Sequence, residues 1–115
     1  MAVLNLLVDD VVVKSFALEK SGITIGRSPD CDIQIEESSV SSKHARIEML
    51  PNPFVAALTD IFIEDLDSMN GIYVNDEQVS RQIIQNKDRI RIAFTEFILV
   101  TDVTGNLART TVMAT

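Results

Sequence analysis

At 115 residues the chain is long enough for one hydrophobic core and too short for two. Apolar residues make up 46% of it, far from a disordered composition, and the scarcity of aromatics leaves Val, Ile and Leu to build the core. A formal net charge of −7 argues against a nucleic-acid or anionic-membrane binder, since either needs a basic face, so any anion site must be a local positive patch.

Taken in order, residues 3–8 and 11–18 are apolar runs separated by Asp9-Asp10, which predicts a hairpin. The first cation is Lys14, after two carboxylates, the reverse of the order in a signal peptide, so the chain reads as soluble and is expected in the cytoplasm. Ile23-Thr24-Ile25 alternates up to Gly26, and Ser28-Pro29-Asp30 then forces a loop. Cys31 is the only cysteine, so neither an internal disulfide nor a cysteine cluster for zinc is possible, and a reducing compartment fits. Ile33-Gln34-Ile35 is a very short strand. A polar loop, 36–39, leads through Val40-Ser41-Ser42-Lys43 into a strand over 44–49 in which Ala45, Ile47 and Met49 alternate with Arg46 and Glu48.

Leu50-Pro51-Asn52-Pro53 breaks that strand, because each proline lacks a backbone donor. Residues 54–58 suit either a strand or a helical turn. Strands follow at 61–66, 72–74, 78–84, 89–94 and 97–103, the fourth with Ile90, Ile92 and Phe94 on one side. Asn70-Gly71 and Asn75-Asp76 mark turns between them. About ten short strands without a long amphipathic helix predict an all-β sandwich or barrel.

Three loops hold the polar residues that bear chemistry: Gly26-Arg27-Ser28, Ser41-Ser42-Lys43-His44 and Ser68-Met69-Asn70-Gly71, with Asn75 just beyond. Hydroxyls, a guanidinium and an ammonium are what a phosphoryl oxyanion needs, and guanidinium matches two of its oxygens at once. Each residue alone also has a plainer reading. Arg27 could be a solvated strand end, Ser41 a turn cap and Asn70-Gly71 a hairpin corner. His44 has no His or Cys companions for a metal and suits a buried, hydrogen-bonded loop clasp. The carboxylate pairs Glu36/Glu37 and Asp65/Asp67 read as solvated loop charges.

In combination the pattern Gly26-Arg27, Ser41-x-x-His44, Asn70-Gly71 and Asn75 resembles the forkhead-associated (FHA) domain family, over nearly the whole chain. The resemblance implies a β-sandwich of about eleven mostly antiparallel strands (FHA/SMAD-like) whose loops at one end bind phosphothreonine in a partner's peptide. Residues 1–103 would form the domain and 104–115 a flexible tail. Arg27 would grip the phosphate, Ser41 would donate its hydroxyl, Ser42 would contact phosphate or peptide, and Asn70 would bond the peptide backbone; Lys43, by its charge, is expected to strengthen the local positive field. Gly26, His44, Gly71 and Asn75 would hold the loops in shape. Met69 departs from the polar residues usual beside Asn70; its thioether is a poor donor, so it would reach a phosphate only through its backbone. Ile72 and Asp76 also replace a frequent threonine and glycine.

The expected function is therefore phosphorylation-dependent protein–protein contact downstream of a Ser/Thr kinase. It involves no catalytic residue, cofactor, metal, nucleic acid or membrane. The alternative is a scaffold of the same fold that docks a partner without phosphate. A hydrolase would need a nucleophile–base pair with a third orienting group, which Ser41 and His44 lack. Thr110, Thr111 and Thr115 in the tail, if phosphorylated, would allow self-association.

Overall fold

The structure is a computed structural model that describes residues 2–101. The tail 104–115, with its threonines, lies outside the described residues. Eleven strands run β1 Ala2–Val8, β2 Val11–Ala17, β3 Ile23–Gly26, β4 Ile33–Gln34, β5 Ala45–Pro51 and β6 Thr59–Asp65, followed by β7 Ile72–Val74, β8 Glu77–Val79, β9 Arg81–Ile84, β10 Arg89–Ile92 and β11 Thr95–Thr101. They form two sheets, in the order β2-β1-β11-β10-β7-β8 and β4-β3-β5-β6-β9. All paired neighbours are antiparallel except β3 and β4, which meet over the two rungs Ile25–Ile33 and Gly26–Gln34.

The alternation seen in the sequence decides which side chains meet between the sheets. Leu4, Ile90, Ile92, Phe97 and Leu99 from one sheet are buried against Ile25, Ile47, Ile63 and Ile84 from the other. Each such side chain contributes about 1.5–3 kcal/mol by leaving water. The hairpin turns are tight: Asp9 and Asp10 have φ of 52° and 65°, and Asn75 and Asp76 have 50° and 70°. Two successive left-handed residues match the twist of paired strands, and Asn and Asp tolerate that conformation best after glycine.

Three expectations need correcting. Residues 54–58 form neither strand nor helical turn, because Asn52 Oδ1 accepts the N–H groups of Phe54 and Val55 at 2.8 and 2.9 Å and curls the chain into a loop. The strand expected over 78–84 is two strands in different sheets. Val79 pairs with Ile72 and Arg81 with Glu64, so the chain changes sheet across Ser80, whose carbonyl accepts the Asp65 N–H. Finally, β10 ends at Ile92. Ala93 turns with a φ of 55°, and Phe94 emerges 73% exposed rather than beside Ile90 and Ile92.

Beside the short β3–β4 pairing, Asp32 accepts the Thr24 N–H at 3.0 Å and an ion pair from Lys20 at 2.9 Å. The Thr24 amide, then Lys20, lowers its carboxyl to about 2. This clamp is complete above the ordinary aspartate range near pH 4 and is lost as pH falls through about 2. Carboxyl NMR should find that low midpoint for Asp32. In Lys20→Met it should rise yet stay below the unperturbed value, because the Thr24 amide remains.

Candidate functional site

β3 ends at Gly26, β5 begins at Ala45 and β7 begins at Ile72, so the three polar loops leave the sandwich at one end. Backbone bonds tie the first two loops together. Arg27 N–H donates to the Ser41 carbonyl at 3.0 Å, Ser28 N–H to the Ser42 carbonyl at 3.1 Å, and His44 N–H to the Ile25 carbonyl at 2.9 Å. Gly26 is needed because of this approach: a Cβ there would lie 2.2 Å from the Ser42 carbonyl oxygen.

His44 joins the second and third loops. It is fully buried. Its Nδ1 accepts the Ser41 N–H at 3.0 Å, and its Nε2 lies 2.8 Å from the Gly71 carbonyl oxygen. A backbone amide can only donate and a carbonyl only accept, so the ring must be the neutral form with its proton on Nε2. Gly71, at a φ of 74°, also accepts the Ala93 N–H and donates its own N–H to Ser68 Oγ at 2.9 Å. The ring thus bridges the two loops with both of its nitrogens engaged.

The groups expected to meet a ligand are held by one side and free on the other. Arg27 Nε donates to the Val40 carbonyl at 3.0 Å, which aims the guanidinium and leaves both terminal nitrogens available. Ser41 Oγ accepts the Met69 N–H at 3.0 Å, so its own proton remains to donate outward. Asn70 Nδ2 donates to the Ser39 carbonyl at 2.7 Å, leaving its second N–H and Oδ1 for a peptide backbone. Ser42 and Lys43 are exposed on the same loop.

Two sequence expectations shift. The Met69 amide is already taken by Ser41 Oγ, so the backbone contact with phosphate expected from this position is not open to it. Its side chain instead stands 88% exposed as an apolar group beside the site. Asn75 holds a different region: it pairs with Asp88 Oδ1 at 3.0 Å and accepts the Arg89 N–H at 2.9 Å, at the other end of β7 from Gly71.

Sequence reasoning also missed several supports. Asp65 Oδ1 accepts the Ser68 N–H, and Ser68 Oγ accepts the Gly71 N–H, a relay at three-residue spacing that turn chemistry could have suggested. Cys31 Sγ donates to the Ser42 carbonyl at 3.2 Å, and the Val40 and Ser39 carbonyls act through backbone, which no residue type signals. Among the described residues no group of three or more His, Cys, Asp or Glu is placed to hold a metal ion. No helix there is long and apolar enough to cross a membrane.

Comparison with known proteins agrees with this geometry. The FHA domain family pattern matches residues 23–93. The chain is 31% identical over 86 residues to the glycogen accumulation regulator GarA of Mycobacterium tuberculosis, covering 75% of this chain and 49% of that protein. It is 34% identical over 77 residues to the oxoglutarate dehydrogenase inhibitor of Corynebacterium glutamicum, covering 67% and 49%. The chain therefore spans about half the length of these curated relatives. A solved structure from work on phosphothreonine-dependent FHA domain interactions superposes with a TM-score of 0.74 at 25% identity, covering 90% of this chain and 98% of that one.

Replacing His44 by alanine leaves the Ser41 amide and Gly71 carbonyl short of a partner and opens a cavity. Urea denaturation should show a loss of about 2–4 kcal/mol. A loss under about 0.5 kcal/mol, the range of ordinary surface substitutions, would show that the clasp does not hold the loops.

Proposed function

The chain belongs to the forkhead-associated (FHA) domain family, and we propose that its three-loop end binds a phosphothreonine peptide of a partner protein. The observation that carries this reading is the division of labour in Arg27. One nitrogen is fixed to the Val40 carbonyl, and the terminal pair is left to face an anion. A phosphothreonine brings about −1.5 to −2 charges and three acceptor oxygens. The Arg27 fork can take two of these oxygens, the Ser41 hydroxyl a third, and Ser42 and Lys43 strengthen the local field. Asn70 then receives the peptide backbone through its free amide groups.

The role is phosphorylation-dependent contact in signalling or regulated assembly, with the chain binding and not transforming its ligand. A Ser/Thr kinase supplies the mark, and the cytoplasm is the setting in which kinase and partner would be met. The relatives named as a regulator and as an inhibitor support a partner whose activity responds to being bound.

Calorimetry with a degenerate phosphothreonine peptide library tests the reading. Arg27→Ala should weaken binding by about 10–100-fold, the value of hydrogen bonds to a charged group. Arg27→Lys should recover only a small part, since an ammonium cannot reproduce the fork. Equal affinity for phosphorylated and plain peptides would contradict it. Affinity should also fall as pH drops below about 6, where the phosphate takes up its second proton and loses charge.

A further inference from the structure

The two sheets share an open side where their edge strands β2 and β4 lie. Between them is a cleft of about 730 Å³ lined by Leu6, Phe16, Ile33, Ile35 and Phe97, among others. Its floor is apolar. Val8 and Phe94, both exposed, line the cleft, and the adjoining strand β2 of the same hairpin carries Val11, Val12 and Val13, each exposed to about half or a little more. A soluble domain rarely leaves so many contiguous large apolar side chains in water without a use for them.

Acids dominate the rim: Asp9, Asp10, Glu36, Glu37 and Glu96 line the cleft, while Lys14 holds its ammonium 5.1 Å from the centroid of the Phe16 ring, on the side of Gln34 and Glu36. Arg89 is paired with Asp10 at 2.8 Å and Glu96 at 3.3 Å, which raises the pKa of its guanidinium. Among the described residues no ion pair involves Asp9, Glu36 or Glu37. Along the mouth, β2 pairs only with β1 among the described residues, so its outer edge offers unused backbone donors and acceptors. Charged edge residues normally protect such a strand, but β2 has a single one, Lys14.

We propose that this side of the sandwich is a second docking surface, which receives an extended partner segment alternating apolar with Lys or Arg residues. The segment adds as a strand to the free edge of β2. Its apolar side chains enter the cleft toward Phe16 and Phe97, and its cations meet Asp9, Glu36 and Glu37. Main-chain pairing supplies affinity in this mode, and alternate side chains supply selectivity. Charge complementarity chooses the occupant. A second copy would bring the same carboxylates against this rim, in a chain of net charge −7. Residues 102–115 hold one Asp and one Arg and so lack the required charge. Arg27, Ser41 and Asn70 do not line the cleft, which needs no phosphate; the two surfaces adjoin, since Gln34 on the cleft wall donates to the Arg27 carbonyl at 3.2 Å and the Glu37 carbonyl accepts the Val40 N–H.

The test is amide NMR on the full ¹⁵N-labelled chain with two unphosphorylated peptides, Ac-KVKFKVK-NH₂ and its acidic counterpart Ac-EVEFEVE-NH₂. The basic peptide should shift amides of β2, residues 7–10, 35–37 and 94–97, and leave Arg27, Ser41 and Asn70 unmoved. Its affinity should fall about tenfold in the Glu36→Lys/Glu37→Lys variant, whose changed residues are both exposed, and should be unchanged in Arg27→Ala. Equal binding of the acidic peptide, or no shifts at millimolar peptide, would overturn the proposal. Cleft amides that move with protein concentration alone, together with dimer in sedimentation, would also overturn it by showing a second copy as the occupant. Because Arg27→Ala separates the two surfaces, failure here leaves phosphopeptide binding to be judged on its own titration.

Discussion

One buried imidazole carries the arrangement of the site. His44 accepts a hydrogen bond from the Ser41 amide and donates one to the Gly71 carbonyl, so two loops separated by 27 positions share a single rigid group. Both ring nitrogens are engaged in these two bonds. The same constraint orients everything around it. With Ser41 fixed, its Oγ is in place to accept the Met69 amide, and its hydroxyl proton is left facing outward. With Gly71 fixed, Asn70 reaches back to the Ser39 carbonyl and keeps half its amide free. Preformed donors lose little entropy when an anion arrives, which favours binding without adding a single contact.

The electrostatic setting gives the site its selectivity. A chain of net charge −7 repels polyanions at long range, yet Arg27 and Lys43 stand on adjoining loops at one end. Screening confines such fields to about 8–10 Å at physiological salt, so a small local patch can attract an anion on a chain of net negative charge. On the β2–β4 side the balance is opposite, with carboxylates around an apolar floor. The two surfaces thus differ in character, cations at the three-loop end and carboxylates around the cleft.

Much of this was legible in the residues. The strands that build the core alternate cleanly because one face of each is buried, and the loops that bear the site contain Gly, Asn and Ser where turns demand them. What was hidden follows from physics that side-chain pattern does not encode. Strands β8 and β9 are mostly exposed, so their alternation is faint and the change of sheet at Ser80 leaves no mark. Phe94 continues the period of Ile90 and Ile92 in the sequence, but the left-handed turn at Ala93 reverses which way it points. Arg27 stands out in the sequence as a guanidinium at a strand end beside a glycine. The Val40 carbonyl that aims it does not, because any residue supplies a carbonyl.

The account rests on a site held ready before its ligand arrives, and the ¹⁵N spectrum of the His44 ring tests that most directly. Long-range proton–nitrogen correlation, recorded on the free chain and on the chain saturated with phosphothreonine peptide, should show a protonated Nε2 and an accepting Nδ1 in both states. A ring that changes tautomer, or becomes doubly protonated when the peptide binds, would mean that the loops are rebuilt by the ligand and that the clasp is not what prepares them.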